Sequence, residues 1–128
     1  MPKPWDLRER TMDFAVATFR LCRNIPQTDE SRDIIRQLRR SASSVASNYR
    51  ATRRSQSDAV FVAKAAVVVE EADETGFWLE FLVEIGVMER PITAALRAEA
   101  SELVAIFTAS RKTVSARLEA ERTSRRRR

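Results

Sequence analysis

Three groups of side chains in this sequence are of types that do chemistry. The first is acidic: Glu70-Glu71-x-x-Glu74 puts three carboxylates on neighbouring positions of a helix, the pattern of half a carboxylate metal centre. Bundles that hold two metals complete such a centre with Glu-x-x-His, and this chain has no His at all. The same lack removes His-based general base catalysis and His-containing triads within one chain. Cys22 is the only Cys, so thiolate zinc clusters and intrachain disulfides are also excluded. It lies between Leu21 and Arg23, close to Arg20 but without a paired base, and reads as a small buried hydrophobe. With two Gly the chain has neither a Gly-rich phosphate loop nor a nucleophile elbow. No catalytic residue, metal ligand or cofactor site is expected.

The second group is basic. Residues 32 to 54 contain seven Arg and one acid, Asp33. At helical spacing Arg36, Arg40, Arg50 and Arg54 fall with Ser43 and Ser47 on one side of one rod. Such a stripe is a candidate for contacting the phosphates of RNA or DNA. The competing reading starts from residues 70 to 89, which hold seven acids and no base. If the two segments are antiparallel neighbours, Arg36, Arg39 and Arg40 come alongside the acids, and the two rods pair with each other. Arg50, Arg53 and Arg54 then lie near the start of the third helix. The third group is a candidate internal polar network: Glu71 and Glu74, with Lys64 one heptad earlier, and Arg39 or Arg40 with Asn48 as partners. Tyr49 and Trp78 have rings that can stack on bases, yet both stand where a packing role is the simpler account.

Those residues must be held by elements the sequence also specifies. The chain has 128 residues, 44 % of them hydrophobic, enough for one domain with a real core and too few for two. Four Pro (Pro2, Pro4, Pro26 and Pro91) all lie outside the periodic runs, and turn signals are too sparse for a many-stranded β fold. Four helices are expected. The first runs from about Asp6 to Asn24, burying Leu7, Thr11, Phe14, Thr18, Leu21 and Ile25, with Met12, Val16 and Phe19 widening the buried face. The second, capped by Thr28 or Asp29, runs from about Glu30 to Arg54 with Ile34, Leu38, Ala42, Val45 and Tyr49 inward, flanked by Ile35, Ser41 and Ala46. The third opens with Ser55 and Asp58 as a capping box and reaches about Gly86. Its stripe is Phe61, Ala65, Val68, Ala72, Thr75, Leu79, Leu82 and Gly86. Pro91 suits the first turn of the fourth, which runs to about Glu121 with Ile92, Leu96, Leu103, Phe107, Ser110, Val114 and Leu118 inward.

Four amphipathic helices joined by short connections pack as an all-α, antiparallel up-down four-helix bundle. One bundle domain is expected over residues 1–122, followed by a basic tail at 123–128 that carries nearly the whole net excess of +5. The third helix has apolar residues around most of its circumference, more than a single four-helix core can cover, so a homo-oligomer is expected. The N-terminus has no apolar h-region, and the stretch Ala59 to Val69 is too short to span a bilayer. A cytoplasmic protein with no membrane contact follows as the expectation.

One stretch is familiar as a pattern. Gln37-Leu-Arg-Arg40, then small residues, then Ser47-Asn48-Tyr49, followed by the acids Glu70, Glu71, Asp73 and Glu74, resembles a family of bundle proteins. These were first noticed as reading frames in intervening sequences of bacterial large-subunit ribosomal RNA, and are also called ribosomal-protein-S23-like. The resemblance spans roughly residues 7 to 110. It implies a left-handed up-down bundle that assembles as a ring-like homopentamer and has no established enzyme activity. More distantly, the chain is similar to the accessory protein of diversity-generating retroelements, a basic pentamer that binds nucleic acid and a reverse transcriptase. The resemblance therefore implies self-association, with RNA, DNA or a protein as further partner.

Overall fold

The computed structural model describes residues 6–128; Pro2, Pro4 and the rest of the first five residues lie outside it. Among the described residues there are four helices and no strand: α1 (Leu7–Arg23), α2 (Asp29–Arg53), α3 (Asp58–Glu84) and α4 (Arg90–Arg126). Neighbours in sequence are neighbours in space. Backbones approach closely from α1 to α2, α2 to α3 and α3 to α4, while α1 meets α4 only sparsely. The diagonal pairs meet only through side chains, as where Tyr49 of α2 packs on Phe107 of α4. This is the antiparallel bundle that the short connections require.

The ends of the helices are set by local chemistry. Asp6 caps α1 by accepting a hydrogen bond from the Glu9 amide, and Thr28 caps α2 in a reciprocal box with Ser31. The cap of α3 is Ser57, which accepts from the Val60 amide, and not Ser55. Ser55 belongs instead to the exit of α2, where its amide donates to the Thr52 carbonyl and its hydroxyl points back at Ala51. Helix α3 ends in a Schellman turn: the Val87 amide donates to Leu82 O at 2.9 Å and the Gly86 amide to Val83 O at 3.0 Å. Gly86 takes the left-handed conformation this turn needs, with φ of 78°. Pro91 stands in the first turn of α4, and that helix continues through Thr123 to Arg126, beyond the expected end near Glu121.

The core has two apolar halves. One gathers Phe14, Ala42, Val45, Val68, Ala72, Ala100, Leu103 and Phe107. The other gathers Cys22, Ile25, Ile34, Ile35, Leu38, Leu79, Leu82 and Met88. Between them, in register with Leu38/Ala42 on α2 and Ala72/Leu79 on α3, lies a polar pair: Thr75 Oγ1 and Ser41 Oγ, both fully buried, are 2.7 Å apart. The Thr75 hydroxyl is also 2.9 Å from the Glu71 carbonyl, so the pair is satisfied without water.

On α2 the expected Ile34, Leu38, Ala42 and Val45 are buried and Tyr49 is half-buried. On α3 the stripe is buried from Ala65 to Leu82, but Phe61 is half-buried and Gly86, in the turn that ends the helix, is exposed. On α1 and α4 two further assignments differ. Met12, Val16 and Phe19 do not widen the buried face of α1; they are 49, 38 and 37 % exposed. They lie about 100–170° round the helix from the line of Thr11, Phe14 and Thr18, which is the buried face of α1. On α4, Ile92 points outward and Thr93 takes the buried position beside it. Thr93 tolerates this because its hydroxyl bonds to the Arg90 carbonyl within the same turn.

Candidate functional site

The arginines of α2 are treated in two different ways by their surroundings. Arg40 reaches across to α3 and binds both acids of the expected network, Glu71 at 3.0 Å and Glu74 by a shorter contact. Its guanidinium is held above its ordinary pKa, chiefly by the hydrogen bond to Glu74 and then by the charges of both acids. Arg36 lies 3.4 Å from Asp33 on its own helix, and Arg32 is 3.3 Å from Asp29. Arg39 does not reach the acids; it stands over the Phe19 ring of α1 with its guanidinium carbon 5.8 Å from the centroid. Asn48 donates to the Ser44 carbonyl of its own helix. The expected network of Arg39, Asn48, Lys64, Glu71 and Glu74 is thus brought together only around Arg40, Glu71 and Glu74.

Arg50 and Arg54 behave differently. Neither has an acid partner among the described residues. With Ser47, Gln56, Val60 and Lys64 they line a cleft of about 550 Å³ between the end of α2 and the start of α3. On its other side, Arg50, Arg53 and Arg54 meet Arg8 of α1 around a second cleft of about 280 Å³. Lys64, expected in the internal network, is here a wall of the first cleft. Arg8 and Arg53 were not among the expected site residues. The available signal was topological, because the start of α1 must lie beside the end of an antiparallel α2.

The remaining charges tie the bundle together. Arg10 is 11 % exposed in its side chain and bonds Glu99 and Glu102, linking α1 to α4 where the two helices otherwise barely meet. Its pKa is raised, first by the hydrogen bond to Glu99 and against the opposing effect of burial. Arg117 grips both oxygens of Asp58 at 2.9 Å and fastens α4 to the first turn of α3. Asp58 is the only acid between residues 41 and 69.

The aromatic candidates are occupied with their own neighbours. Tyr49 packs edge-on to Phe107 at 5.6 Å. Trp78 is held between Phe77 and Phe81, with centroids at 5.0 and 5.7 Å, and its Nε1 donates toward Glu74. This aromatic group sits on the outer face of α3, where Phe77 is 52 % and Phe81 37 % exposed. No cluster of acids, Cys or His able to hold a metal occurs among the described residues. No described helix is long and apolar enough to cross a membrane.

Comparison with known proteins agrees with the fold. Residues 4–109 match the family described as 23S rRNA-intervening sequence protein. No curated protein matches the sequence. Among solved structures, the chain is similar to a protein of unknown function from the S23 ribosomal protein family of Bacteroides thetaiotaomicron VPI-5482. The two share 24 % identity at a TM-score of 0.77, with 83 % of this chain and 98 % of the other covered.

Proposed function

This chain belongs to the 23S rRNA-intervening sequence protein family, and on that footing we propose that it is a non-enzymatic, oligomeric bundle that works by gathering partners. The observation that carries this reading is the pair of apolar stripes left outside the core. Met12, Val16 and Phe19 form one on the α2 side of α1; Phe77 and Phe81 form the other on α3, with Phe77 at its α4 edge. Grouped exposed apolar residues of this size mark an association surface, whereas scattered ones do not.

Their placement also favours one kind of assembly. Because α1 and α3 are diagonal in the bundle, the stripes face opposite sides. A self-complementary two-fold contact uses one patch twice, but two different patches on opposite sides suit head-to-tail contacts that close into a ring. A ring of five, the count that the family resemblance implies, has a mass five times the 14.6 kDa chain. Light scattering of the wild type is expected to show a closed oligomer. Met12→Ser with Phe19→Ser, or Phe77→Ser with Phe81→Ser, should each release folded monomers. A wild type that stays at the mass of one chain across concentration would defeat the reading.

A second reading, contact with nucleic acid, is favoured by one observation: Arg50 and Arg54 have no acid partner, while Arg32, Arg36 and Arg40 all do.

A further inference from the structure

We propose that the end of the bundle formed by Arg8, Arg50, Arg53, Arg54 and Lys64 is a binding site for the phosphodiester backbone of nucleic acid. The proposal rests on the nucleic-acid reading above and moves the contact from a stripe along α2 to one pole of the molecule.

Four features converge there. First, the clefts of about 550 and 280 Å³ adjoin through Arg50 and Arg54, which line both. A ligand passing from one to the other meets five cations drawn from three helices. Second, neither cleft is lined by a carboxylate. The one acid of this stretch, Asp58, is closed off by the two hydrogen bonds from Arg117. Third, the neutral polar groups on the larger cleft, Ser47, Ser55 and Gln56, offer O–H and N–H donors that phosphate oxygens accept. Fourth, Arg50 and Arg54 are one turn apart, about 6 Å along the axis, the scale of the step between neighbouring phosphates on a strand. A single small anion would leave most of these cations unsatisfied; a chain of phosphates would not. The nearby aromatic Tyr49 is committed to Phe107 and is not placed to stack on a base, and the lining is dominated by cations suited to phosphate. The contact is therefore expected to hold single strands with little sequence preference.

The test is an anisotropy titration of the full-length protein with a labelled single-stranded RNA of uridines, from about 50 to 200 mM salt. Four further proteins are compared: Arg50→Gln with Arg54→Gln, Arg32→Gln with Arg36→Gln, the chain lacking residues 123–128, and that truncation combined with the first pair. Each replaced side chain of the first pair is exposed and bonded to no acid, so thermal unfolding should match the wild type. With ~0.7 counterion released per single-strand contact, losing two contacts should weaken binding ~25-fold at 0.1 M salt and flatten the log K against log salt slope by ~1.4. The Arg32/Arg36 pair, which removes the same charge elsewhere, should lose several-fold less.

Equal losses from both pairs would overturn the site and leave only diffuse attraction. Loss on truncation alone, with the Arg50/Arg54 pair binding like wild type, would overturn the site while the nucleic-acid reading survives through the tail. Absence of binding by the wild type at 50 mM salt would overturn both. Competition by poly-glutamate as strong as by RNA of equal charge would overturn the assignment to phosphates.

Discussion

The two glycines of the chain should respond in opposite directions to the same substitution. Gly76 lies inside α3 with an ordinary helical backbone, and a Cβ built on it would stand 3.5 Å from the Ala100 Cβ of α4. That is normal van der Waals distance, so a methyl group fits without moving either helix. Gly76→Ala then gains the helix propensity that Gly forfeits, about 1 kcal/mol, which for a chain of this length raises the melting temperature by about 4 °C. Gly86 has open space around its missing Cβ, so crowding is irrelevant there. Its cost is in the backbone: φ of 78° is disfavoured for an L side chain by about 1–2 kcal/mol. Part of that is offset, by about 0.4–1 kcal/mol, because Ala also restricts the unfolded chain. Gly86→Ala should therefore destabilise by about 1 kcal/mol. The sites are ten residues apart and share no partner, so the double variant should return close to wild type. Urea unfolding at one fixed protein concentration measures all three. A destabilised Gly76→Ala would refute the reasoning, because it would mean that α3 and α4 are closer at Ala100 than 3.5 Å allows.

Two more outcomes follow from buried groups. Thr75→Val keeps the shape of the side chain but strips Ser41 of its 2.7 Å partner, leaving a fully buried hydroxyl with only a 3.4 Å contact to Leu38 O. The loss should be about 1–3 kcal/mol, and adding Ser41→Ala should recover most of it; a double-mutant cycle in urea reads the coupling. Burial pushes the Cys22 thiol pKa up, with Arg39 pulling more weakly the other way. The folded state therefore favours the protonated thiol. Its contribution is fully present below the ordinary thiol pKa of about 8.5 and is lost as pH rises above it, because the unfolded chain ionises there first. Unfolding in reductant from neutral to alkaline pH should show this decline in the wild type, and a shallower one in Cys22→Ala.

How much of this was legible in the sequence depends on which physical rule was in play. The stripe of α3 repeats at steps of three and four, and its members from Ala65 to Leu82 are all buried, while its expected ends, Phe61 and Gly86, are half-buried and exposed. Periodicity fixes which way a short apolar side chain points, and Pro91 and Gly86 mark a turn with little ambiguity. Capping was less certain because Ser55-Gln-Ser57 offers two hydroxyls two residues apart, and the choice fell to how far α2 unwinds before α3 begins. Met12, Val16 and Phe19 were misplaced because composition does not distinguish a wide buried face from an apolar outer one. Arginine partners were harder still. Arg39 and Arg40 are about 100° apart on the helix, and only the packing distance to α1 and α3 decides that one meets Phe19 and the other meets Glu71 and Glu74. The basic pole was invisible as a linear motif, since Arg8 is more than forty residues from Arg50.

The two proposals reinforce each other through symmetry. Antiparallel packing lays the acidic second half of α3 beside the first half of α2, so charges cancel from Arg40 toward that end. It leaves Arg50, Arg53 and Arg54 beside the part of α3 whose one acid is already bound, so charge accumulates at the opposite end. Each bundle is thus electrically lopsided along its length. In a cyclic ring every copy is turned about a single axis, and a rotation leaves the component along that axis unchanged. Any axial lean of the basic pole is consequently shared by all copies, and their cationic ends gather on one face of the ring. A two-fold axis perpendicular to it would divide them between opposite faces. Weak phosphate contacts repeated on one face become strong by multivalency. Breaking the apolar contacts should therefore weaken RNA binding even with every arginine intact, which ties the outward stripes of α1 and α3 to the charged pole they never touch.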